Sequence, residues 1–308
     1  MPDPPHAQVE PALRRRGGFF LDGGWDPDTG AIVGPAWVQW EAPAEPADWL
    51  APVVLVHGGG GQATDWMWAV EGQPGWADHF VEAGHPTYLV DRTGHGRSVW
   101  DPRTLGDRAP VPSTSQLAGL FQLDESDVRP GERSRCAAVG ASSTGLLFDS
   151  DDAQHRDADH LITLMGRLGP CILVSHSAGA PSVWVAADAR PELVTAVVAV
   201  EPLGPPYGGE RHGRAMSAGL TAAPLSGGLA QIPTLVVTAA ASGRRDADRA
   251  AATFLADLGV PVDHVELDRI GLHGDGHGVI FDRHSTACFH LVHAWCTAVR
   301  RNAGHDQL

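Results

Sequence analysis

Residues 170–182, Pro-Cys-Ile-Leu-Val-Ser-His-Ser-Ala-Gly-Ala-Pro-Ser, decide how the rest of the chain is read. Cys171 to Val174 is a short apolar run of the kind buried inside a sheet. Ser175-His176-Ser177-Ala178-Gly179 then turns the chain, and Ala178 to Arg190 is Ala-rich and helical. A strand, a tight turn and a helix with serine at the apex is the setting of a nucleophile elbow, whose usual form is G-x-S-x-G. Here Ser175 stands for the first glycine and gives S-x-S-x-G. Small residues are needed on both sides because strand and helix pass close together, and serine meets that need. Ser177 is the nucleophile candidate, and Ser175 is expected to point into the strand packing. A serine in a turn is common, so the motif takes its weight from what surrounds it.

Outward from this stretch, short apolar runs alternate with helical patterns. Val53–Val56 is a continuous apolar run that ends in His57-Gly58-Gly59-Gly60-Gly61, and Thr87–Val90 ends in Asp91-Arg92-Thr93-Gly94-His95-Gly96-Arg97-Ser98. Val194–Val200 ends in Glu201-Pro202, and Thr234–Thr238 and Val262–Leu267 are two further strands. Gly17–Asp22 and Ala36–Glu41 read as two strands near the start. Helices are expected at Trp76–Ala83, Ala247–Leu258 and Ser285–Arg301, and at Asp151–Leu168, where Leu161, Leu164, Met165 and Leu168 share one face. The fold class is therefore α/β, a doubly wound, mostly parallel sheet in a single domain over residues 1–308. In such sheets chemistry sits at the carboxyl ends of the strands, and every unusual cluster in this chain lies at one. Periodicity is lost at about 99–150 and 203–231, two insertions expected to form a cap over the site.

The bulk composition narrows the partners. The 308 residues are 43% hydrophobic and 19% charged, which is globular, and 37 Gly and 24 Pro point to many ordered turns. A net charge of −15 argues against nucleic acid and anionic membranes and leaves a small-molecule substrate. Met1–Gly18 has no apolar core of a signal segment, and no run is long enough to span a membrane, so a cytoplasmic location is expected. Cys136, Cys171, Cys288 and Cys296 have no metal-ligand spacing and read as free thiols in a reducing compartment. No metal and no cofactor is expected, and the chain is compatible with a homodimer.

A serine hydroxyl needs a base, and the base needs a carboxylate to orient it. The base candidates lie in Gly271-Leu272-His273-Gly274-Asp275-Gly276-His277-Gly278; His277 is preferred for the apolar Val279-Ile280-Phe281 behind it, with His273 in reserve. For the acid, Asp246 and Asp248 follow strand 234–238, but they also read as helix-start residues. Glu201 ends a buried strand directly, where a carboxylate is costly unless paired, and is preferred. The glycine run 58–61 supplies an oxyanion donor at Gly59 or Gly60, with Ala178 as the second. It is no phosphate loop, because no Lys-Ser/Thr follows it. His57 is expected to tie this loop down, and residues 91–98 to be structural, with Asp91 and Arg92 pairing locally. His176, Gly60 and Trp66 are the candidates for lining a substrate pocket. Trp68, Trp76 and Trp100 fall near the same mouth, although core packing is the more frequent role of tryptophan.

The sequence VVLVHGGGG, then YLVDRTGHGRS, then LVSHSAG and a final histidine loop resembles the α/β-hydrolase superfamily over roughly residues 50–300. More narrowly it resembles the esterase 713-like serine esterases. The shared features are the paired N-terminal strands, an HG-initiated loop followed by Thr64-Asp65-Trp66, the GHGRS turn, the S-x-S-x-G elbow, a Glu after the next strand and a GDGH loop. The resemblance implies Ser177, Glu201 and His277 as a catalytic triad and Gly59 and Ala178 as oxyanion donors. The chain departs from that group at Gly59-Gly60, where its members carry a Cys-Cys pair, and in lacking an export signal. The function expected is a serine hydrolase that cleaves a small carboxylic ester or lactone through an acyl-enzyme. A serine at the elbow in place of aspartate speaks against haloalkane dehalogenase and epoxide hydrolase chemistry. The same parts could serve a peroxide-dependent perhydrolase, and a reading from another class is a non-catalytic protein of this fold that binds a small ligand.

Overall fold

The structure, a computed structural model, describes residues 13–45, 50–122, 135–145, 151–204 and 227–305. Eight strands form one sheet: β1 (Arg14–Leu21), β2 (Ala36–Pro43), β3 (Val53–Val56), β4 (Thr87–Asp91), β5 (Cys171–His176), β6 (Val194–Val200), β7 (Thr234–Thr238) and β8 (Val262–Glu266). Their spatial order is β1-β2-β4-β3-β5-β6-β7-β8. The β1–β2 and β2–β4 pairs are antiparallel and all later pairs are parallel, as the continuous apolar runs of the central strands require. After β3 the chain moves outward to β4, then returns to place β5 on the other side of β3, with Val56 opposite Ser175. That reversal opens a crevice at the carboxyl ends of β3 and β5.

Helices cover both faces. On one, α1 (Trp76–Glu82) and α8 (Ser285–His305) bury Trp76, Phe80, Phe289 and Val292 against Leu55, Val174 and Val198. On the other, α5 (Asp151–Leu168), α6 (Ala180–Ala189) and α7 (Arg245–Asp257) bury Leu164, Met165, Trp184 and Leu255 against Val54, Leu173 and Val197. The period-3.6 stripe read in residues 161–168 is the face of α5 that makes this contact. Strand β1 begins at Arg14, three residues before the expected start. A charged run does not read as a strand, but Arg14 is held there by Asp78 and Glu82 of α1.

The stretch 99–150 corrects the expectation of lost periodicity. Its described residues hold three helices, α2 (Pro102–Leu105), α3 (Thr114–Phe121) and α4 (Arg135–Ser142). Ser113 caps α3 and forms a reciprocal capping box with Gln116. Leu117, Ala118 and Val139 join the core on the α1–α8 face, so this insertion is packed onto the sheet. Most of the second insertion lies outside the described residues, as do residues 1–12.

Candidate active site

Strand β5 hands the chain to α6 through Ser177, whose φ is 49°. A non-glycine residue in that left-handed region is strained and is held by its surroundings. The close approach expected at the elbow is real. A Cβ on Gly179 would lie 2.6 Å from the carbonyl oxygen of His57, and one on Gly58 would lie 3.1 Å from the Ser177 Cβ. Ser175 is fully buried and points its hydroxyl at the carbonyl of Val198, as expected of the residue replacing the first glycine.

His277 Nε2 lies 2.8 Å from the Ser177 Oγ. Its other ring nitrogen, Nδ1, faces Glu201 Oε1 at 3.7 Å, longer than a hydrogen bond but within ion-pair reach. A neutral imidazole beside a carboxylate carries its proton on the nitrogen that faces the charge, which leaves Nε2 to accept from the serine hydroxyl. Glu201 is wholly buried and has φ 48°, a second strained non-glycine residue at a strand end. Three contacts hold it there. Its amide donates to Val237 O at 2.8 Å, Arg244 donates to the carbonyl of Pro202, and Leu203 N donates to Ser177 O at 2.9 Å. Burial alone would raise the Glu201 carboxyl, but His277 and His176 outweigh it and hold it well below the usual glutamate range. Burial also lowers His277, against the pull of Glu201, so the site rests as a carboxylate beside a neutral imidazole.

His176 is not a pocket-lining residue in this geometry. Its ring is buried and turned toward the acid: Nε2 donates to the carbonyl of His277 at 3.1 Å and lies 3.8 Å from Glu201 Oε2. The donor atoms of His176, Glu201 and His277 lie within 4.8 Å of one another, the one group among the described residues with the spacing of a metal site. His176 and His277 already have hydrogen-bond partners in the arrangement around Ser177.

The glycine loop sits beside Ser177. His57 is fully buried, donates from Nδ1 to Gly58 O at 2.8 Å and accepts Arg92 N at Nε2, which fixes the start of the loop. Gly59 is half-buried, and none of the hydrogen bonds among the described residues uses the amide of Gly59 or Gly60. Ala178 follows Ser177 in the first turn, where amides have no partner within a helix. Asp91 and Arg92 are structural but do not form the local pair expected. Asp91 accepts from Ala63 N and from Arg97, and Arg92 reaches Asp157 at 2.7 Å.

Other candidates are separated from Ser177. Asp246 points outward and is 99% exposed; Asp248 is buried but bonds Thr238 Oγ1 at 2.9 Å. His273 is exposed. Trp66 corrects the expectation of a pocket residue. It is fully buried, its ring 5.6 Å from that of Trp76, because the short 3₁₀ turn Ala63–Trp66 directs it into the core. Trp76 is core too, and Trp100 lies at the surface against Gly106 O. Sequence reasoning missed Phe121, which stacks on His277 with centroids 6.3 Å apart, and Asp275, which anchors the histidine loop through His284 Nδ1 at 2.6 Å. The Asp-x₈-His spacing is a signal that could have suggested the second; nothing marks the first.

A family model described as the alpha/beta hydrolase fold matches residues 51–220. The protein named Probable secreted lipase phiG, from a fungus (Fungal sp., strain ATCC 74256), is 27% identical over 296 residues, covering 79% of this chain and 81% of its own. Among solved structures, a bacterial esterase superposes with a TM-score of 0.74 at 20% identity, over 94% of this chain and 98% of that one. One of two fungal esterases from Rhizomucor miehei superposes with a TM-score of 0.55 at 13% identity, over 99% and 88%. The sheet order, the elbow and the family match together establish that the chain belongs to the alpha/beta hydrolase fold family.

Proposed function

We propose that this hydrolase is a serine esterase that cleaves a small-molecule carboxylic ester or lactone through an acyl-enzyme. The observation that carries the reading is the 2.8 Å contact of His277 Nε2 with Ser177 Oγ, backed by a buried, ionised Glu201. Ser177 Oγ attacks the acyl carbon while its proton passes to His277 Nε2. The carbonyl electron pair moves onto oxygen, where the Gly59 and Ala178 amides hold it; one such donor is worth about 10²–10³ in rate. Glu201 stabilises the imidazolium and keeps its ring in register. The tetrahedral carbon then expels the alcohol oxygen, which takes the proton from His277. Water, giving its proton to His277, attacks the acyl-enzyme, and the acid leaves as Ser177 regains its proton. The named activities of the relatives, a lipase and esterases, support an ester as the substrate class.

The helices of residues 99–150 act in this reading as a cap over the site. The location is cytoplasmic, and fractionation of cells that make the protein tests it, since the fungal relative is named as secreted. The chemistry is tested with p-nitrophenyl acetate and butyrate and a fluorophosphonate label followed by mass spectrometry. Turnover by the wild type, its loss in Ser177→Ala and an adduct on Ser177 are expected. No turnover and no adduct would leave a small-ligand-binding protein of the same fold.

A further inference from the structure

Four consecutive glycines cannot hold an oxyanion loop in place by themselves, since each adds backbone freedom rather than a side-chain anchor. Residues 57–61 are fixed by contacts within the loop and from outside it, and the fixing points differ along the loop. Gly58 O takes His57 Nδ1 at 2.8 Å and Gly61 N at 3.3 Å. Gly60, at φ 67°, is held through its carbonyl, which accepts Thr144 N at 2.6 Å and Thr144 Oγ1 at 3.1 Å. Two residues earlier, Ser142 O accepts Gln62 Nε2 at 2.8 Å. The end of α4 is thus stitched to both sides of the Gly60–Gly61 peptide. At the other end of the same insertion, Phe121 closes α3 against the histidine loop. A Cβ on Gly276 would lie 1.9 Å from the Phe121 carbonyl oxygen, and the Phe121 ring stacks on His277.

Resting on the esterase reading, we infer that Thr144 is a positioning residue for the oxyanion loop, and that the α3–α4 insertion is thereby part of the catalytic apparatus. The peptide between Gly60 and Gly61 is clamped at its carbonyl by Thr144 and at its amide by Gly58 O. This leaves the Gly59 and Gly60 amides, which bond no described residue, to the acyl oxygen. The insertion sets the position of the donors, not only the shape of the entrance. Any movement of α4 changes how well the tetrahedral oxygen is held while leaving the Ser177–His277 pair intact.

The test compares Thr144→Val, Thr144→Ser and the double variant Thr144→Val/Gln62→Leu with the wild type, each checked for folding by its melting curve. Valine keeps the shape and the backbone donor but removes the hydroxyl. For p-nitrophenyl butyrate we expect kcat of Thr144→Val to fall about tenfold with KM within about twofold, the pattern of an interaction made in the transition state. The double variant should fall further, and Thr144→Ser should return near wild type. The decisive readout is the rate ratio of an oxoester to its thionoester, whose larger sulfur fits an oxyanion hole poorly. This ratio should shrink in Thr144→Val, which a merely structural role would not produce. A Ser177 adduct in the wild type together with unchanged kcat and an unchanged ratio in the variants would overturn the inference alone. Absence of the wild-type adduct would overturn the esterase reading and this inference with it.

Discussion

At the end of β6 stands Glu201, and one strand further along the sheet, in the first turn of α7, stands Asp248; both carboxylates are fully buried. Glu201 faces the imidazoles of His277 and His176, and they hold it ionised despite burial. Asp248 accepts from Thr238 Oγ1 at 2.9 Å and has Arg244 at 3.3 Å, yet burial, with the like charge of Glu201 adding to it, lifts its carboxyl to about 7. The buried end of the sheet therefore keeps one full negative charge readily and a second reluctantly. Arg244 stands between the two, donating to the Pro202 carbonyl beside one and forming an ion pair with the carboxylate of the other. Burial alone does not set the charge of a carboxylate; what it faces does.

This contrast can be broken most severely from the Glu201 side. Glu201→Gln keeps the shape but removes the charge that, in the proposed mechanism, orients His277 and stabilises its protonated form. Its kcat on p-nitrophenyl esters should fall about 10³–10⁴-fold with the melting temperature little changed. Steady-state kinetics beside a melting curve checks both halves.

The next effect is the dependence on pH. In the proposed mechanism His277 must be neutral to accept the serine proton, and burial sets its pKa below the ordinary histidine value. Activity should therefore be lost only as pH falls below about 6.5, the reference value for histidine, and should be flat just above it. The groups that face His277 are Glu201, His176 and, at longer range, Arg244. A kcat/KM profile with its acid limb above that value would contradict the assignment.

Asp248 gives the smallest effect and sharpens the comparison. Its folded-state carboxyl is raised, so the native protein binds this proton more tightly than the unfolded chain does. The contribution is present below the unfolded value, about 4, and is lost as pH rises through about 7. Asp248→Asn should remove that decline, flattening the melting temperature between those limits, with kcat within about threefold of wild type. Thermal melts from pH 4 to 8 measure it.

How much of this was legible varies with the kind of signal. The strands 53–56, 194–200 and 234–238 are readable to the residue, because strands buried on both faces are dominated by short runs of β-branched and apolar residues. The cluster of Ser177, His277 and Glu201 followed from knowing that strand ends converge. The strain at Ser177 and Glu201 was not legible, since residue type does not announce a positive φ. Helix α3 was hidden by the Pro- and Ser-rich composition around it, although Ser113-x-x-Gln116 was a capping box in plain view. Trp66 was misplaced because a tryptophan near a site reads the same whether its turn points it inward or outward. His176 reads as a substrate-side residue for a similar reason: alternation along β5 does not say which way the ring of its last residue turns.

The central claim is that Glu201, and not the carboxylate beyond β7, is the charge that the Nδ1 proton of His277 faces. Proton NMR in water observes that proton directly, as a strongly downfield imidazole N–H signal. The account predicts the signal in the wild type and in Asp248→Asn, and its loss in Glu201→Gln and in His277→Ala. A signal that survives Glu201→Gln and disappears in Asp248→Asn would contradict it.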